Sequence, residues 1–271
     1  MPEDISIQNE IVDYFNQKNI NIFPFCLNAF GKDKIEEKLN EINEINEKNK
    51  INEKVIIFIL DDYEFELKSY KNQIILRTSA DKSLLKDNEF ILPYLWDNIK
   101  EPFEPLKRTT KPIIGFCGWR SKPRYEILKK IRNHNQLQAN YILRDKFMGG
   151  HRLSKNTVND FYENMRQSHF IICNRGTGNF SMRFYQTLAA GRIPLVVDTD
   201  MQLPLNNIAP YHKVIIMEKT VEKVIEKLLF IWENEDIEKI QQECSKFYEK
   251  YLNYNSYAPW LHQEIKNNVP K

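Results

Sequence analysis

The sequence predicts an α/β protein with parallel sheets in two domains, and three observations lead to this. After residue 112, apolar runs of strand length alternate with segments of helical period, which is typical of strand-helix-strand units around a parallel sheet. The apolar run at residues 55–60 predicts a buried strand that ends in Asp61 and Asp62. Between these regions, residues 100–112 carry three prolines among charged side chains, which favours an interdomain linker. We therefore expect one domain at residues 1–108 and a second at 109–271.

Composition agrees with this fold class and disfavours several others. The 271 residues are 42% hydrophobic and 12% aromatic, which is ample for packed cores. The net charge is +2 with both signs interspersed, so no basic field for nucleic acid is evident. The four cysteines are far apart, without the spacing of a zinc site or a small disulfide framework, and we expect a reducing compartment. No signal peptide or membrane span is visible in the sequence, so we expect a cytoplasmic protein of a microbe or a virus-infected host cell.

In the first domain, the pattern predicts a short helix at residues 11–15 and a strand at residues 20–25. Residues 34–54 place Ile35, Leu39, Ile42 and Ile45 three and four apart, which predicts an amphipathic helix. A coiled coil is the alternative, although the pattern is shorter than three heptads. Strands are predicted at residues 55–60, 73–77 and 90–92.

In the second domain, the period of the apolar residues switches between strand and helix. The predicted strands are residues 112–119, 139–143, 169–173, 193–197 and 214–217. The predicted helices are residues 124–133, 157–167, 180–190, 221–232 and 237–251. The tail after them carries Tyr254, Tyr257 and Trp260, which we expect to pack back on the first domain.

The segment from residue 173 to residue 186 predicts an anion-binding loop between a strand and a helix. Gly176 and Gly178 allow a sharp turn close to a ligand, and the exposed N–H groups of the helix start attract a phosphate. Arg175 and Arg183 bring planar forks that suit diphosphate oxygens. Ser181 can cap the helix or donate its hydroxyl, and Gln186 lies one turn further, where its amide can bond a sugar hydroxyl. The alternative is a tight turn whose arginines face water.

This part of the chain resembles the donor-binding signature of the exostosin-like glycosyltransferases. The residues that carry the resemblance are Arg175, Gly176, Ser181, Arg183, Leu188, residues 191–194, Asp198, Leu203 and Pro204, with a weaker likeness at residues 115–118. The resemblance implies the glycosyltransferase B fold, which has two Rossmann-like domains with a cleft between them. It also implies a UDP-sugar donor, a glycan acceptor and inversion of the anomeric centre. The family commonly has Glu where this chain has Gln186, and an amide keeps an acceptor there but loses the charge.

Four further residues and one loop histidine are candidates for donor contacts. Gly118, Arg120 and Arg124 follow the first strand of the second domain, where a loop can reach the nucleotide; a turn with surface arginines is the alternative. Arg144 follows another strand and either faces the same cleft or is exposed to solvent. His151, in a loop with two glycines, either contacts the sugar or phosphates or is an ordinary loop histidine.

Inverting sugar transfer needs a base that takes the proton from the acceptor hydroxyl. Asp61 and Asp62 are the candidates, with Glu64 behind them, although adjacent acids also occur in turns and helix caps. Arg175, Arg183 and the helix start would stabilise the departing diphosphate, so no divalent metal or other cofactor is expected to be essential.

Two other functions stay open. Asp198 and Asp200 have the DxD spacing with which metal-dependent glycosyltransferases of the A fold bind a divalent ion. A catalytically silent nucleotide-sugar-binding scaffold is the other alternative, consistent with Gln186 and a small first domain. We expect no nucleic acid partner and no membrane span.

Overall fold

The computed structural model of the chain describes residues 4–18, 25–26, 31–49, 54–60, 62–94, 99, 101–146 and 154–268. Within them the chain forms two parallel sheets with helices packed around them, one sheet in each half of the sequence. The predicted fold class, an α/β protein with two Rossmann-like domains, is confirmed. None of the helices in the described ranges has the length and apolar character that a membrane crossing requires.

The first domain has four parallel strands in the order β1-β2-β3-β4. They are β1 Phe25–Cys26, β2 Val55–Ile59, β3 Gln73–Arg77 and β4 Glu89–Ile91, and the helices of this domain are α1 Asp4–Asn16 and α2 Lys32–Lys48. Every residue of β2 and β3 is buried, as expected for parallel strands covered on both faces. Of the predicted strand at residues 20–25, the part before Phe25 lies outside the described residues.

Helix α2 is the amphipathic helix that the sequence predicts, but its buried face is turned from the predicted one. Ile35 and Leu39 are fully buried against β2 and β3, whereas Ile45 is 55% exposed and Asn43 and Asn46 are buried. With 3.6 residues per turn, the buried positions 35, 39, 43 and 46 lie on a narrower face of the helix than the apolar positions 35, 39, 42 and 45. The apolar face therefore packs on the helix's own sheet, as in a domain helix and not as in a coiled coil.

The second domain has five parallel strands in the order β6-β5-β7-β8-β9. They are β5 Ile113–Trp119, β6 Gln138–Arg144, β7 Phe170–Ile172, β8 Ile193–Val197 and β9 Ile216–Glu218. Its helices are α3 Lys122–Arg132, α4 Lys155–Arg166, α5 Met182–Ala189, α6 Val221–Asn234, α7 Ile237–Phe247 and α8 Tyr254–Asn268. The strands and helices predicted for this half are confirmed, with ends that differ by a few residues.

Helix α8 is the element that the sequence pattern missed. It contains Pro259, which disfavours a helix interior, and its aromatic residues do not follow one stripe. Tyr257 donates a hydrogen bond to the carbonyl oxygen of Ile91 at 2.5 Å, and the rings of Tyr14 and His262 lie 5.8 Å apart. Helix α8 thus packs on α1 and β4 of the first domain.

The proline-containing segment between the sheets lies along the second domain. The N–H of Phe103 donates to the carbonyl oxygen of Ala190 at 3.1 Å. Leu106 exchanges hydrogen bonds at 3.1 and 2.9 Å with the side-chain amide of Gln241. The predicted boundary at residue 108 falls in this extended segment, between β4 and β5.

The buried carboxyl of Glu264 in α8 gives an expected pH dependence of stability. Burial raises the pKa of Glu264 from 4.5 to about 7, although a backbone hydrogen bond from Leu205 opposes the rise. The folded protein therefore holds this proton more tightly than the unfolded chain does, and the free energy of unfolding falls as pH rises from about 4.5 to about 7.

We expect Glu264→Gln to remove this loss, because the amide keeps an acceptor for Leu205 and does not ionise. In melting experiments at pH 5 and pH 8, the melting temperature of the parent should fall further than that of the variant. An equal fall in both proteins would contradict the assignment.

Candidate functional site

The carboxyl ends of β5 and β7 lie at the switch point of the second sheet. From β5 the chain continues to β6 on one side, whereas β7 lies on the other side of β5. Open α/β sheets bind ligands in the crevice at such a point. Gly118 and Trp119 end β5, and residues 173–181 leave β7 and lead into α5. The predicted anion loop therefore lies where a parallel sheet accommodates a ligand.

Arg183, in the first turn of α5, is buried at this switch point and only partly hydrogen bonded. Its side chain is 9% exposed, and its Nη2 donates to the carbonyl oxygen of Cys117 at 2.8 Å. The guanidinium lies 4.5 Å from the centre of the Phe116 ring. Its Nε and Nη1 have no hydrogen-bond partner among the described residues. Burial lowers the pKa of this guanidinium, so its charged form is poorly compensated.

Two other buried arginines show what full compensation looks like in this protein. Arg192, which is fully buried, donates from all three nitrogens to backbone carbonyl oxygens at 2.8–3.3 Å. Arg77 donates to backbone carbonyls and to the carboxylate of Glu89 at 3.0 Å. Buried polar groups are normally satisfied in this way. Arg183 is therefore the exception among these three, and its free donors point to a ligand.

Arg124 of α3 brings a second buried guanidinium to the same place. Its Nε, Nη1 and Nη2 donate to the carbonyl oxygens of Arg175, Trp119 and Asn174 at 3.0, 3.3 and 3.4 Å. The guanidinium lies 5.7 Å from the centre of the Phe116 ring. Burial, and then the charge of Arg183, lower the pKa of Arg124 to about 10. Neither guanidinium forms an ion pair with a carboxylate of the described residues, and the nearby hydroxyl of Ser121 is buried without a partner. The cluster thus combines two positive charges with free donors, which suits an anion.

Gly118 has a backbone conformation that favours glycine, and it lies close to the guanidinium of Arg183. Its φ is +153°, and a Cβ at this position would lie 2.7 Å from Nη2 of Arg183. We expect Gly118→Ala to displace the guanidinium and to weaken binding of UDP, the nucleotide that the resemblance implies, by about tenfold or more. Calorimetric titration with UDP measures the change.

Gly176→Ala is the matched control for that substitution. A Cβ at Gly176 would meet Nη2 of Arg124 at 3.3 Å, and the end of a flexible side chain can retreat from such a contact. We expect a smaller loss of UDP affinity than for Gly118→Ala. Equal losses in the two variants would mean that the contact with Arg183 is unimportant.

The loop of residues 173–181 also contacts the first domain. Arg175 forms a two-pronged ion pair with Glu64, with Nη2 2.6 and 2.7 Å from the two carboxylate oxygens. A Cβ at Gly178 would lie 2.8 Å from the hydroxyl of Ser79 and 2.9 Å from Asp62. These first-domain residues follow β2 and β3, so the carboxyl ends of both sheets meet at this loop.

Of the two predicted bases, Asp62 is described and Asp61 lies outside the described residues. Asp62 is half-buried and accepts a hydrogen bond from the hydroxyl of Tyr94. A Cβ at Gly178 would lie 2.9 Å from Oδ1 of Asp62, so the carboxylate is close to the anion loop. His151, the candidate loop histidine, also lies outside the described residues.

The DxD pair is engaged in contacts between protein groups. The carboxylate of Asp200 accepts hydrogen bonds from the hydroxyl of Ser83 at 2.6 Å and from its N–H at 3.1 Å. Asp198 pairs with Lys219 at 2.5 Å and accepts from the N–H of Asp200. Among the described residues, no three side chains of His, Cys, Asp or Glu come together as a metal site would require. Asp200 thus helps to join the domains in this structure.

The other predicted donor contacts have varied positions. Arg120 pairs with Asp145 at 2.6 Å with both side chains exposed, and Arg144 pairs with Asp160 at 2.7 Å. Exposed pairs of this kind contribute little to stability. Ser181 precedes α5 without a side-chain capping bond, and Gln186 is half-buried on the same helix. Arg120 and Arg144 therefore already have acidic partners, unlike Arg183.

No protein-family model matches the chain, and no curated protein matches it either. It is similar to a solved structure of a mutant of S. aureus TarM in complex with fondaparinux, alpha-GlcNAc-glycerol and UDP, at 8% identity over 82% of this chain and 53% of that chain, with a TM-score of 0.45. A protein named as a putative UDP-N-acetylglucosamine 2-epimerase from Listeria monocytogenes is 10% identical, over 86% of this chain and 78% of that chain, with a TM-score of 0.34. The wall teichoic acid polymerase TagF is 11% identical, over 98% of this chain and 95% of that chain, with a TM-score of 0.31. Scores below 0.5 carry no argument about function.

Sequence reasoning missed two residues that build this site. Tyr94 holds Asp62, and Asn179 is fully buried, donating to Asp81 of the first domain and to the carbonyl oxygen of Thr199. Asn179 lies within the glycine-containing segment of residues 173–186, where the sequence pattern assigns it no role, and Tyr94 belongs to no motif. The only local signal is a tyrosine shortly after a strand, and that is too common to select a residue.

Proposed function

We propose that the protein is an inverting glycosyltransferase that moves a sugar from a UDP-sugar to a hydroxyl of a glycan acceptor. The observation that carries the proposal is the buried guanidinium of Arg183, whose Nε and Nη1 have no partner among the described residues. A buried charge without compensation is costly, and an anionic ligand at this point would supply the missing acceptors.

A diphosphate fits the cluster better than a single carboxylate does. Arg183 and Arg124 place two guanidinium groups over one Phe116 ring, with the start of α5 beside them. Arg183 supplies two unpartnered nitrogens and the start of α5 supplies backbone N–H groups, whereas Arg124 already donates from its three nitrogens to backbone carbonyl oxygens and adds its charge. Together they suit the several oxygens of a diphosphate. The resemblance to the exostosin-like signature adds the nucleotide sugar as the compound that carries this diphosphate.

Asp62 is our candidate for the base. The acceptor oxygen attacks the anomeric carbon from the face opposite the diphosphate, and its proton passes to the carboxylate of Asp62. The bond between the anomeric carbon and the diphosphate oxygen breaks with its electron pair on UDP. Arg183, Arg124 and the N–H groups of α5 stabilise the charge that develops there. The contact of Asp62 with Gly178 supports this role, because it brings the carboxylate to the donor loop.

Two features of the site set conditions on donor binding. Arg175 offers the donor only part of its guanidinium unless Glu64 releases it, since Nη2 is paired with that carboxylate in this structure. Gln186 stands where the family commonly has Glu, and its amide would accept from a ribose hydroxyl without adding a charge. The proposal also includes a cytoplasmic location and turnover that does not depend on a divalent metal. Turnover that is unchanged after a chelator is added would support the independence from metal.

A ligand panel tests the proposal. UDP, GDP, CMP and their sugars are added to the protein, and the melting temperature is measured for each. We expect UDP compounds to raise it, because a ligand that binds only the folded state stabilises it by mass action. UDP release is then measured with UDP-sugars and a set of simple glycosides as acceptors. A lack of stabilisation by UDP compounds would sink the proposal, and binding without turnover would favour the silent scaffold.

A further inference from the structure

Tyr94 connects the two halves of the candidate site. It follows β4, and its hydroxyl donates a hydrogen bond to Oδ1 of Asp62. Its ring is stacked on Phe180 of the anion loop, with the ring centroids 6.4 Å apart and an angle of 23° between the ring planes. The centroid of the Tyr185 ring in α5 lies 6.3 Å from that of Tyr94. One side chain thus contacts the carboxylate on the first domain and the anion-binding segment of the second.

The hydroxyl of Tyr94 remains a donor throughout the neutral range. Burial, with the nearby charge of Asp62, raises the pKa of Tyr94 well above its usual value. The phenol therefore keeps its proton and donates it in the hydrogen bond to Oδ1 of the carboxylate. On its other side Asp62 is in contact range of Gly178, since a Cβ there would lie 2.9 Å away.

We propose that Tyr94 is a positioning residue. It fixes the carboxylate of Asp62 relative to the anion loop of residues 173–181, so that the base and the bound donor are aligned. This inference rests on the proposed function, with Asp62 as the base. The phenol hydrogen bond sets the direction of the carboxylate, and the stack on Phe180 sets the position of the phenol relative to the loop. Small misplacements of a catalytic group reduce turnover more than they reduce binding.

The test is a double-mutant cycle on turnover with Asp62→Asn, Tyr94→Phe and the variant that carries both. The substrate is the pair of UDP-sugar and glycoside with the highest turnover in the panel. Tyr94→Phe keeps the ring and removes only the hydroxyl. We expect it to lower kcat by about tenfold, with the KM for the UDP-sugar and the stabilisation by UDP unchanged. The double variant should lose no more than Asp62→Asn alone, because Tyr94 acts through that carboxylate.

Tyr211→Phe is the matched control. It also removes one hydroxyl from a buried tyrosine. That hydroxyl donates to the carbonyl oxygen of Pro204 at 2.8 Å and not to Asp62. We expect its kcat to equal that of the parent. Melting temperatures of all variants show whether a loss of turnover reflects unfolding.

Three outcomes would overturn the inference. The first is a kcat of Tyr94→Phe within about twofold of the parent while Asp62→Asn is inactive. The second is a double variant whose loss equals the product of the two single losses, since independent effects multiply. The third is a parent protein that releases no UDP from any donor, which refutes the proposed function together with this inference; the first two leave the proposed function intact.

Discussion

Replacement of Arg183 by Met is expected to abolish most UDP binding without lowering the stability of the ligand-free protein. The guanidinium would make charge-assisted hydrogen bonds to the diphosphate, and loss of one partner of such a buried pair costs about 2–5 kcal/mol, or about 30-fold or more in affinity. In the free protein the same guanidinium is buried with two nitrogens unpartnered among the described residues. An apolar side chain of similar length removes that cost, so the melting temperature should be equal to the parent's or higher. Titration calorimetry and thermal melting measure the two effects.

Arg192→Met is the control that separates a ligand-binding arginine from a structural one. Arg192 is as deeply buried, but its nitrogens all donate to backbone carbonyl oxygens. The carbonyl oxygen of Met165 also accepts from the N–H of Ser168, but the loss of Arg192 removes a donor from each of the others. An acceptor left unsatisfied costs about 1–3 kcal/mol, so the melting temperature should fall by several degrees while UDP affinity is kept. If Arg183→Met instead destabilised the free protein as much as Arg192→Met and kept its response to UDP, the donor site would lie elsewhere.

Asp62→Asn is expected to lower turnover by about 10²- to 10⁴-fold, which is the usual contribution of a general base. The amide keeps the shape of the side chain and an oxygen that accepts from Tyr94, but it cannot take a proton from the acceptor. UDP affinity should therefore remain that of the parent, because the loss falls on the chemical step. Initial rates of UDP release and calorimetric titration with UDP measure the two quantities.

Two further Asp→Asn variants show how the result for Asp62→Asn should be interpreted. Asp81→Asn makes the same change at an acid that accepts from Asn179 between the domains, and we expect its turnover to stay near the parent's. Asp61→Asn tests the other candidate base. Turnover lost with Asp61→Asn and kept with Asp62→Asn would move the base to Asp61 and would also remove the basis for a positioning role of Tyr94.

Much of the second domain was predictable from the sequence, because strand and helix periods are local properties. The five strands of its sheet and the helix that begins at Met182 lie where the apolar pattern indicates. The glycines of the loop before that helix predict a turn with close backbone contacts, and Gly178 has them. The pattern failed at α8, where Pro259 and scattered aromatics hide a helix that packing on the first domain stabilises.

The partners of the charged residues were not predictable. The sequence predicts Arg175 and Arg183 as a pair that faces the ligand together. In the structure Arg175 is paired with Glu64, which is 111 residues away in the chain, whereas Arg183 is buried beside Arg124. Nothing local distinguishes the two arginines, since both belong to the same glycine-containing segment.

The sequence by itself determined the α/β class, the succession of strands and helices along the second half of the chain, and the residue types at the strand-to-helix turn. These depend on short-range periodicity and on backbone freedom. Only the tertiary structure decided which guanidinium keeps free donors, which acid lies against Gly178 and which tyrosine holds that acid. The physical reason is that loss of water and the choice of hydrogen-bond partner depend on contacts between residues far apart in the chain, which form only when the two sheets meet at one loop.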